Sequence, residues 1–316
     1  MINNRRCFIV GLKSYDLSLK EKKFLLKFKP WGVILFSRNI KTINQTNKLT
    51  TKIKKIFKDK SYPILIDQEG GRINRLKNIL NFDIFTGKFF GNLYMKDKKK
   101  FDFYSNIFIK NTSHLLKSIG VNINTVPVLD LHRKGSSQII GNRSFSKNPS
   151  VVKKIGDKFI DLFHKCNVGT VIKHIPGHGL ARVDSHNSTP TVKHNLKYLL
   201  KNDFSTFKDK NSFFAMTAHI IYKSIDKHNT ATHSKKIIKL IREKIKFKKI
   251  IISDDISMKS LKYSIGENTT RAFSAGCDLV LHCNGKINEM LIVANNSPLV
   301  SKFIIKKTSQ FYKILS

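Results

Sequence analysis

Eight short apolar, mostly β-branched segments recur along the chain, at 7–12, 32–36, 63–66, 121–128, 169–172, 213–218, 249–253 and 277–281. Each has the length of a strand buried on both faces, which reads as a run of apolar residues rather than an alternation. Between most of them apolar residues return every three or four positions, at 17–28, 43–57, 101–118, 151–166 and 235–245, the spacing that gives a helix one apolar face. Strands alternating with helices predict parallel pairing through right-handed crossovers. Eight such strands predict closure into a (β/α)8 barrel of the TIM type rather than an open sheet. The segment 302–316 predicts one last basic amphipathic helix. No internal repeat, low-complexity linker or composition break divides the chain, so residues 1–316 read as a single domain.

Composition supports this picture and narrows the function. Hydrophobic residues make up 41% of the chain, enough for a sizeable core. No apolar run approaches the roughly 20 residues that span a bilayer, and the opening MINNRRCFIVGL enters its first strand too soon for a secretion signal, so a cytoplasmic protein without membrane attachment is expected. Cys7, Cys166, Cys277 and Cys283 show no C-x-x-C spacing and read as reduced thiols, mostly buried. The balance of 59 basic against 21 acidic residues, a net charge of +38, raises nucleic-acid binding as an alternative. Lysine far outnumbers arginine, however, and is spread over every predicted helix, while the aromatics fall at apolar periodic positions. A nucleic-acid surface concentrates arginine and exposed aromatics in one stripe. No nucleic-acid partner is expected.

In a barrel of this kind, reactive side chains gather where strands end at the C-terminal face. The densest candidate is the fourteen-residue stretch KHIPGHGLARVDSH at 173–186, just past the fifth apolar run and broken into a loop by Pro176, Gly177 and Gly179. Asp67-Gln68-Glu69-Gly70-Gly71-Arg72, with Arg75 close behind, follows the third run. Asp130 and then Gly141-Asn142-Arg143-Ser144-Phe145 follow the fourth, and Ser253-Asp254-Asp255-Ile256-Ser257-Met258 the seventh. Each cluster alone has a plain structural explanation: a glycine turn, a loop ion pair, a helix cap. Their shared position at strand ends points to one site. His174, His178, Asp184 and His186 are all zinc-ligand types, but Pro176 and Gly177 interrupt any helix that would align the two nearer histidines. With no cysteine nearby and no H-E-x-x-H, neither a metal nor another cofactor is expected.

The set DQEGGR, GNRSF, KHIPGHG, DSH and SDDISM, in this order from about Gly11 to Asn284, resembles the bacterial β-N-acetylhexosaminidases of glycoside hydrolase family three, specifically the single-domain cytoplasmic enzymes of peptidoglycan recycling. The resemblance implies a (β/α)8 barrel that removes terminal N-acetylglucosamine (GlcNAc) with retention of anomeric configuration from GlcNAc-1,6-anhydro-MurNAc muropeptides, as a monomer and without a cofactor. It implies Asp254 as the nucleophile and His186, oriented by Asp184, as the acid/base. It implies Asp67, Arg75, Arg143, Lys173 and His174 as contacts to the sugar, with Glu69, Arg72 and Asp130 supporting them. Asn284 is a further minor contact, and His178 and His219 lie at the rim, where each is equally readable as an ordinary hydrogen-bonded histidine. The histidine assignment is chemically sound in itself: an ordinary pKa near 6.5 lets imidazole give and take a proton near neutral pH, and a carboxylate two residues away can fix its tautomer. The wider family contains β-glucosidases, the alternative reading within the same fold. They usually carry further domains, and the local Asp-x-His favours the hexosaminidase branch.

Overall fold

The computed structural model describes residues 2–133, 135, 138–183 and 188–315. Eight parallel strands close into a barrel: β1 (Arg6–Gly11), β2 (Pro30–Leu35), β3 (Ile64–Ile66), β4 (Ile123–Asn124), β5 (Gly169–Ile175), β7 (Phe214–Thr217), β9 (Ile250–Asp255) and β10 (Leu279–His282), in the cyclic order β1-β10-β9-β7-β5-β4-β3-β2. All eight predicted apolar runs thus become barrel strands. The short β6 (Thr191–Val192) and β8 (Ile221–Tyr222), which the sequence reading did not foresee, pair with each other beside the barrel.

The core has two layers because successive strand residues point to opposite faces. Cys7, Ile9, Leu65, Ile123, Val171, Phe214, Ile250, Ile252 and Leu279 fill the interior. Phe8, Val10, Val33, Ile64, Ile66, Ile172, Ala215, Ile251 and Val280 face the surrounding helices. Those helices are α1 (Leu19–Phe28), α2 (Ile43–Phe57), α3 (Gly87–Lys96), α4 (Lys98–Ser118), α5 (Pro149–Lys165), α6 (Leu196–Lys201), α7 (Lys235–Glu243), α8 (Ile265–Ala275) and α9 (Ile287–Asn295). The predicted last helix, α10 (Lys302–Tyr312), belongs to the interior layer: Ile304 and Phe311 pack with the inward side chains, and Trp31 Nε1 donates to Thr308 Oγ1 at 3.0 Å. The opposite, C-terminal ends of the strands carry the polar residues singled out above. Among the described residues no helix is long and apolar enough to cross a membrane.

Candidate active site

A cavity of about 190 Å³ opens at the C-terminal ends of the strands. Asp67, Arg75, Arg143, Lys173, His174, His178, Asp254 and Asp255 line it, together with apolar residues that include Ile34, Phe36, Met216, Met258, Leu281 and Cys283. Six of the eight residues predicted to carry the site therefore share one cavity. The other two, Asp184 and His186, lie outside the described residues.

Lys173 and His174 stand within β5 rather than after it, since the strand runs on to Ile175, beyond the expected end at 172. Lys173 is 2% exposed, and its ammonium bridges Asp67 Oδ1 and, at 2.6 Å, Glu69 Oε1. Arg75 reaches the other oxygen of Asp67 at 3.2 Å, while Thr125 Oγ1 donates to Oδ1 at 2.9 Å. Arg143 forms a two-pronged pair with Glu69 at 2.8 and 2.7 Å, the strong geometry open to a planar guanidinium. Burial on its own would raise the pKa of Asp67 and Glu69. The cations beside them, Lys173 first for Asp67 and Arg143 first for Glu69, outweigh it and hold both carboxyls below the ordinary range. One connected network thus fixes the cations that line this side of the cavity.

Asp130 organises the start of the loop after β5. Its carboxylate accepts from His174 Nδ1 at 2.7 Å and from the backbone N–H groups of His174 and His178. A carboxylate here only accepts, so the His174 proton sits on Nδ1 and Nε2 is left for a ligand. His178 is buried and its pKa is pulled down to about 4, chiefly by burial and then by its neighbour His174. Gly179 has no alternative in this loop: a Cβ there would come within 2.4 Å of the Leu131 carbonyl. Tyr222 Oη donates to the Gly177 carbonyl from below.

Asp254 and Asp255 close β9. The Asp254 carboxylate lines the cavity and accepts from the Asp255 N–H at 2.8 Å. Burial opposes its ionisation, but the neighbouring His219 and His174, the Asp255 N–H and Lys173 prevail and keep the pKa below the usual carboxylate value. The Asp255 carboxylate is tied up differently, accepting from Ser257 N and Oγ and from Cys283 N at 2.9 to 3.2 Å. The sequence does not distinguish the two adjacent aspartates; in the structure both line the cavity, and they differ in that the Asp255 carboxylate is also held by the turn after β9 and by Cys283 N.

Two expectations are corrected, and some lining residues are new. His219 is not at the rim: it is fully buried, bonded to Thr232 and to the Asp255 carbonyl. Asn284 does not line the cavity, because its amide donates to Glu289, which also receives His282 Nε2. Phe36, Met216 and Cys283 line the cavity without having been foreseen. Phe36 lies directly after β2 and Cys283 directly after β10, the same strand-end position that marked the polar candidates; their lack of charge hid them. Among the described residues no group of three or more histidine, cysteine, aspartate or glutamate side chains is placed to hold a metal ion.

Comparison with known proteins agrees with the fold. The profile of the glycosyl hydrolase family 3 N-terminal domain matches residues 10–309. The β-hexosaminidase of Hydrogenovibrio crunogenus is 32% identical over 287 residues, which cover 89% of this chain and 79% of that protein. Native NagZ of Neisseria gonorrhoeae superimposes with a TM-score of 0.87 at 28% identity, covering 98% of this chain and 90% of that one. The same protein in complex with N-trifluoroacetyl-D-glucosamine gives a TM-score of 0.86 at 27% identity, with coverage of 99% and 90%.

Proposed function

The chain belongs to glycosyl hydrolase family 3, and from that premise we propose that it is a retaining β-N-acetylhexosaminidase that removes terminal non-reducing GlcNAc from peptidoglycan fragments, the GlcNAc-1,6-anhydro-MurNAc muropeptides, in cell-wall recycling. That it is a glycoside hydrolase of the β-hexosaminidase type is the coarser statement, and relatives of that name align over most of their own length. Asp254 is the nucleophile in this reading. Its carboxylate is kept ionised and faces the cavity, so it can attack the anomeric carbon and form a covalent glycosyl-enzyme that water then opens. Asp67, Arg75, Arg143, Lys173 and His174 hold the sugar, since charged donors and acceptors bind hydroxyls strongly and directionally.

What speaks against a carboxyl acid on this side of the cavity is electrostatic. Retaining enzymes ordinarily supply a second, protonated carboxyl about 5 Å from the nucleophile. Here Asp67, Glu69 and Asp130 are all held below their ordinary pKa by lysine, arginine or histidine neighbours, so none of them keeps a proton near neutral pH. The resemblance to the family gives the role to a histidine instead: in this reading His186, with Asp184 orienting it, donates to the leaving oxygen and later takes a proton from water. The enzyme works as one domain over 1–316, as a cytoplasmic monomer, with no metal or other cofactor and with no nucleic-acid or membrane partner.

The test is an assay of purified protein on chromogenic β-glycosides of GlcNAc and of glucose, with and without EDTA, with the anomer of the first product read by NMR. Preference for GlcNAc, retention and indifference to EDTA are expected. Preference for glucose would favour the β-glucosidase alternative, and inversion would remove Asp254 as a nucleophile.

A further inference from the structure

The backbone ladder between β7 and β9 stops short of the chemistry. Its last register pair is Met216 with Ile252, so Asp254 and Asp255 run on with no strand partner on the β7 side. On the other side β10 still pairs, Leu281 with Asp255, across a register shift. What holds the free side is a side chain. His219 lies two residues past the end of β7, is fully buried, and places Nε2 3.0 Å from the Asp255 carbonyl oxygen.

The hydrogen bonds around this ring fix its proton. A carbonyl can only accept, so Nε2 carries the hydrogen. Nδ1 lies 2.7 Å from Thr232 Oγ1, and in the neutral ring it must accept from that hydroxyl. Thr232 in turn is 2.8 Å from Thr217 Oγ1, which then donates to it. Thr217, Thr232 and His219 are all inaccessible to solvent, and burial favours the neutral ring. The titratable groups near the ring are Asp254 and Asp255 from β9, His174 from β5 and His233 just before α7. A directed chain of hydrogen bonds therefore runs from the end of β7 through Thr232 to His219 and on to the carbonyl of Asp255, the residue whose N–H, on the preceding peptide unit, caps the Asp254 carboxylate.

We propose that His219 is a positioning residue for the reaction: it replaces the missing strand pairing and, by holding the Asp255 carbonyl across the Cα from the N–H that caps Asp254, fixes the direction in which the Asp254 carboxylate meets the anomeric carbon. The inference rests on Asp254 being the nucleophile. It sets His219 apart from His174, which lines the cavity, and from His186, which handles the proton. Asp254 takes part in both formation and opening of the glycosyl-enzyme. A misdirected carboxylate therefore slows both steps, whatever the leaving group, while the sugar-holding network of Asp67, Lys173 and Arg143 is untouched.

The experiment compares His219→Ala, His219→Gln and Thr232→Val with the intact enzyme on aryl GlcNAc glycosides of good and poor leaving groups, with a melting temperature for each variant. Misplacement of a reacting group by about 1 Å costs on the order of 10²-fold. His219→Ala should lose about that factor in kcat, with KM changed less than about threefold and the same loss for both leaving groups. Glutamine can donate to the Asp255 carbonyl and accept from Thr232, so His219→Gln should recover most of the loss. Thr232→Val, which removes the hydroxyl that sets the tautomer, should fall between, and it carries the test together with His219→Gln if the alanine variant does not fold. A folded His219→Ala enzyme with intact kcat, or a folded His219→Gln enzyme as impaired as His219→Ala, would overturn the proposal. Retained activity in Asp254→Ala would instead overturn the reading of the nucleophile on which it rests.

Discussion

Replacing Asp130 by asparagine removes one charge and changes almost no volume, so its effect isolates what the carboxylate does. The side chain has no solvent exposure, and its described hydrogen-bond partners are donors: His174 Nδ1 at 2.7 Å, His174 N at 3.2 Å and His178 N. An amide offers one accepting oxygen instead of two and brings an NH2 that must face something. The His178 N–H is backbone and cannot reverse, so the oxygen stays there and the NH2 turns to His174. That imidazole can accept only by moving its proton from Nδ1 to Nε2. A charged hydrogen bond contributes about 1 kcal/mol more than a neutral one, so three of them predict a loss of roughly 3 kcal/mol. At about 2.1 cal/mol/K of unfolding entropy per residue, a chain of 316 residues then melts about 5 °C lower. The catalytic cost follows from the tautomer: with Nε2 protonated, the ring presents a donor where it presented an acceptor, and kcat/KM should fall by about 10- to 100-fold. Calorimetry and steady-state kinetics measure the two effects, and ¹⁵N NMR of the His174 ring reports which nitrogen bears the proton. An Asp130→Asn enzyme with unchanged melting temperature and kcat/KM, or with Nδ1 still protonated, would refute the reasoning.

Two further outcomes follow from the electrostatics. His178 and His233 are buried and each is pulled down to about 4, while an unfolded chain protonates them near 6.5, so the unfolded state binds more protons between those values. Stability is therefore full above pH 6.5 and declines as pH falls toward 4, before the carboxylates titrate; urea unfolding at pH 7 and pH 5 should show it, and equal midpoints would contradict it. His186→Ala should nearly abolish cleavage of a disaccharide, whose sugar leaving group needs a proton, yet release an activated phenol in a burst followed by slow turnover. General acid/base help is worth roughly 10²- to 10⁴-fold, and equal slowing of good and poor leaving groups would make His186 a binding residue.

The barrel was legible because its strands are covered on both faces and so read as unbroken apolar runs. The helices that escaped notice lack the signal for local reasons. In α3 the sequence GKFFGNLYMK carries two poor helix formers, yet Gly91 is there because a Cβ would meet the Phe145 carbonyl at 1.6 Å, a packing demand invisible in one segment. The apolar INEMLIVAN of α9 reads as readily as a strand. The site was legible to the extent that its polar residues fall at strand ends. Its internal wiring was not: Asp130 bonds to His174 across 44 positions, and His219 to Asp255 across 36. No spacing rule links residues so far apart, and the fate of the two adjacent aspartates depends on Ser257 and Cys283 claiming one of them.

The account stands on Asp254 forming a covalent bond to the sugar. Incubating the enzyme with a fluorinated GlcNAc analogue that forms the glycosyl-enzyme quickly and hydrolyses slowly, then digesting and sequencing by mass spectrometry, tests it directly. The account predicts one added sugar on the peptide that contains Ile250–Asp255, located at Asp254, and no labelling of the Asp254→Ala variant. A label on Asp255, on Asp67 or on any other peptide would contradict it.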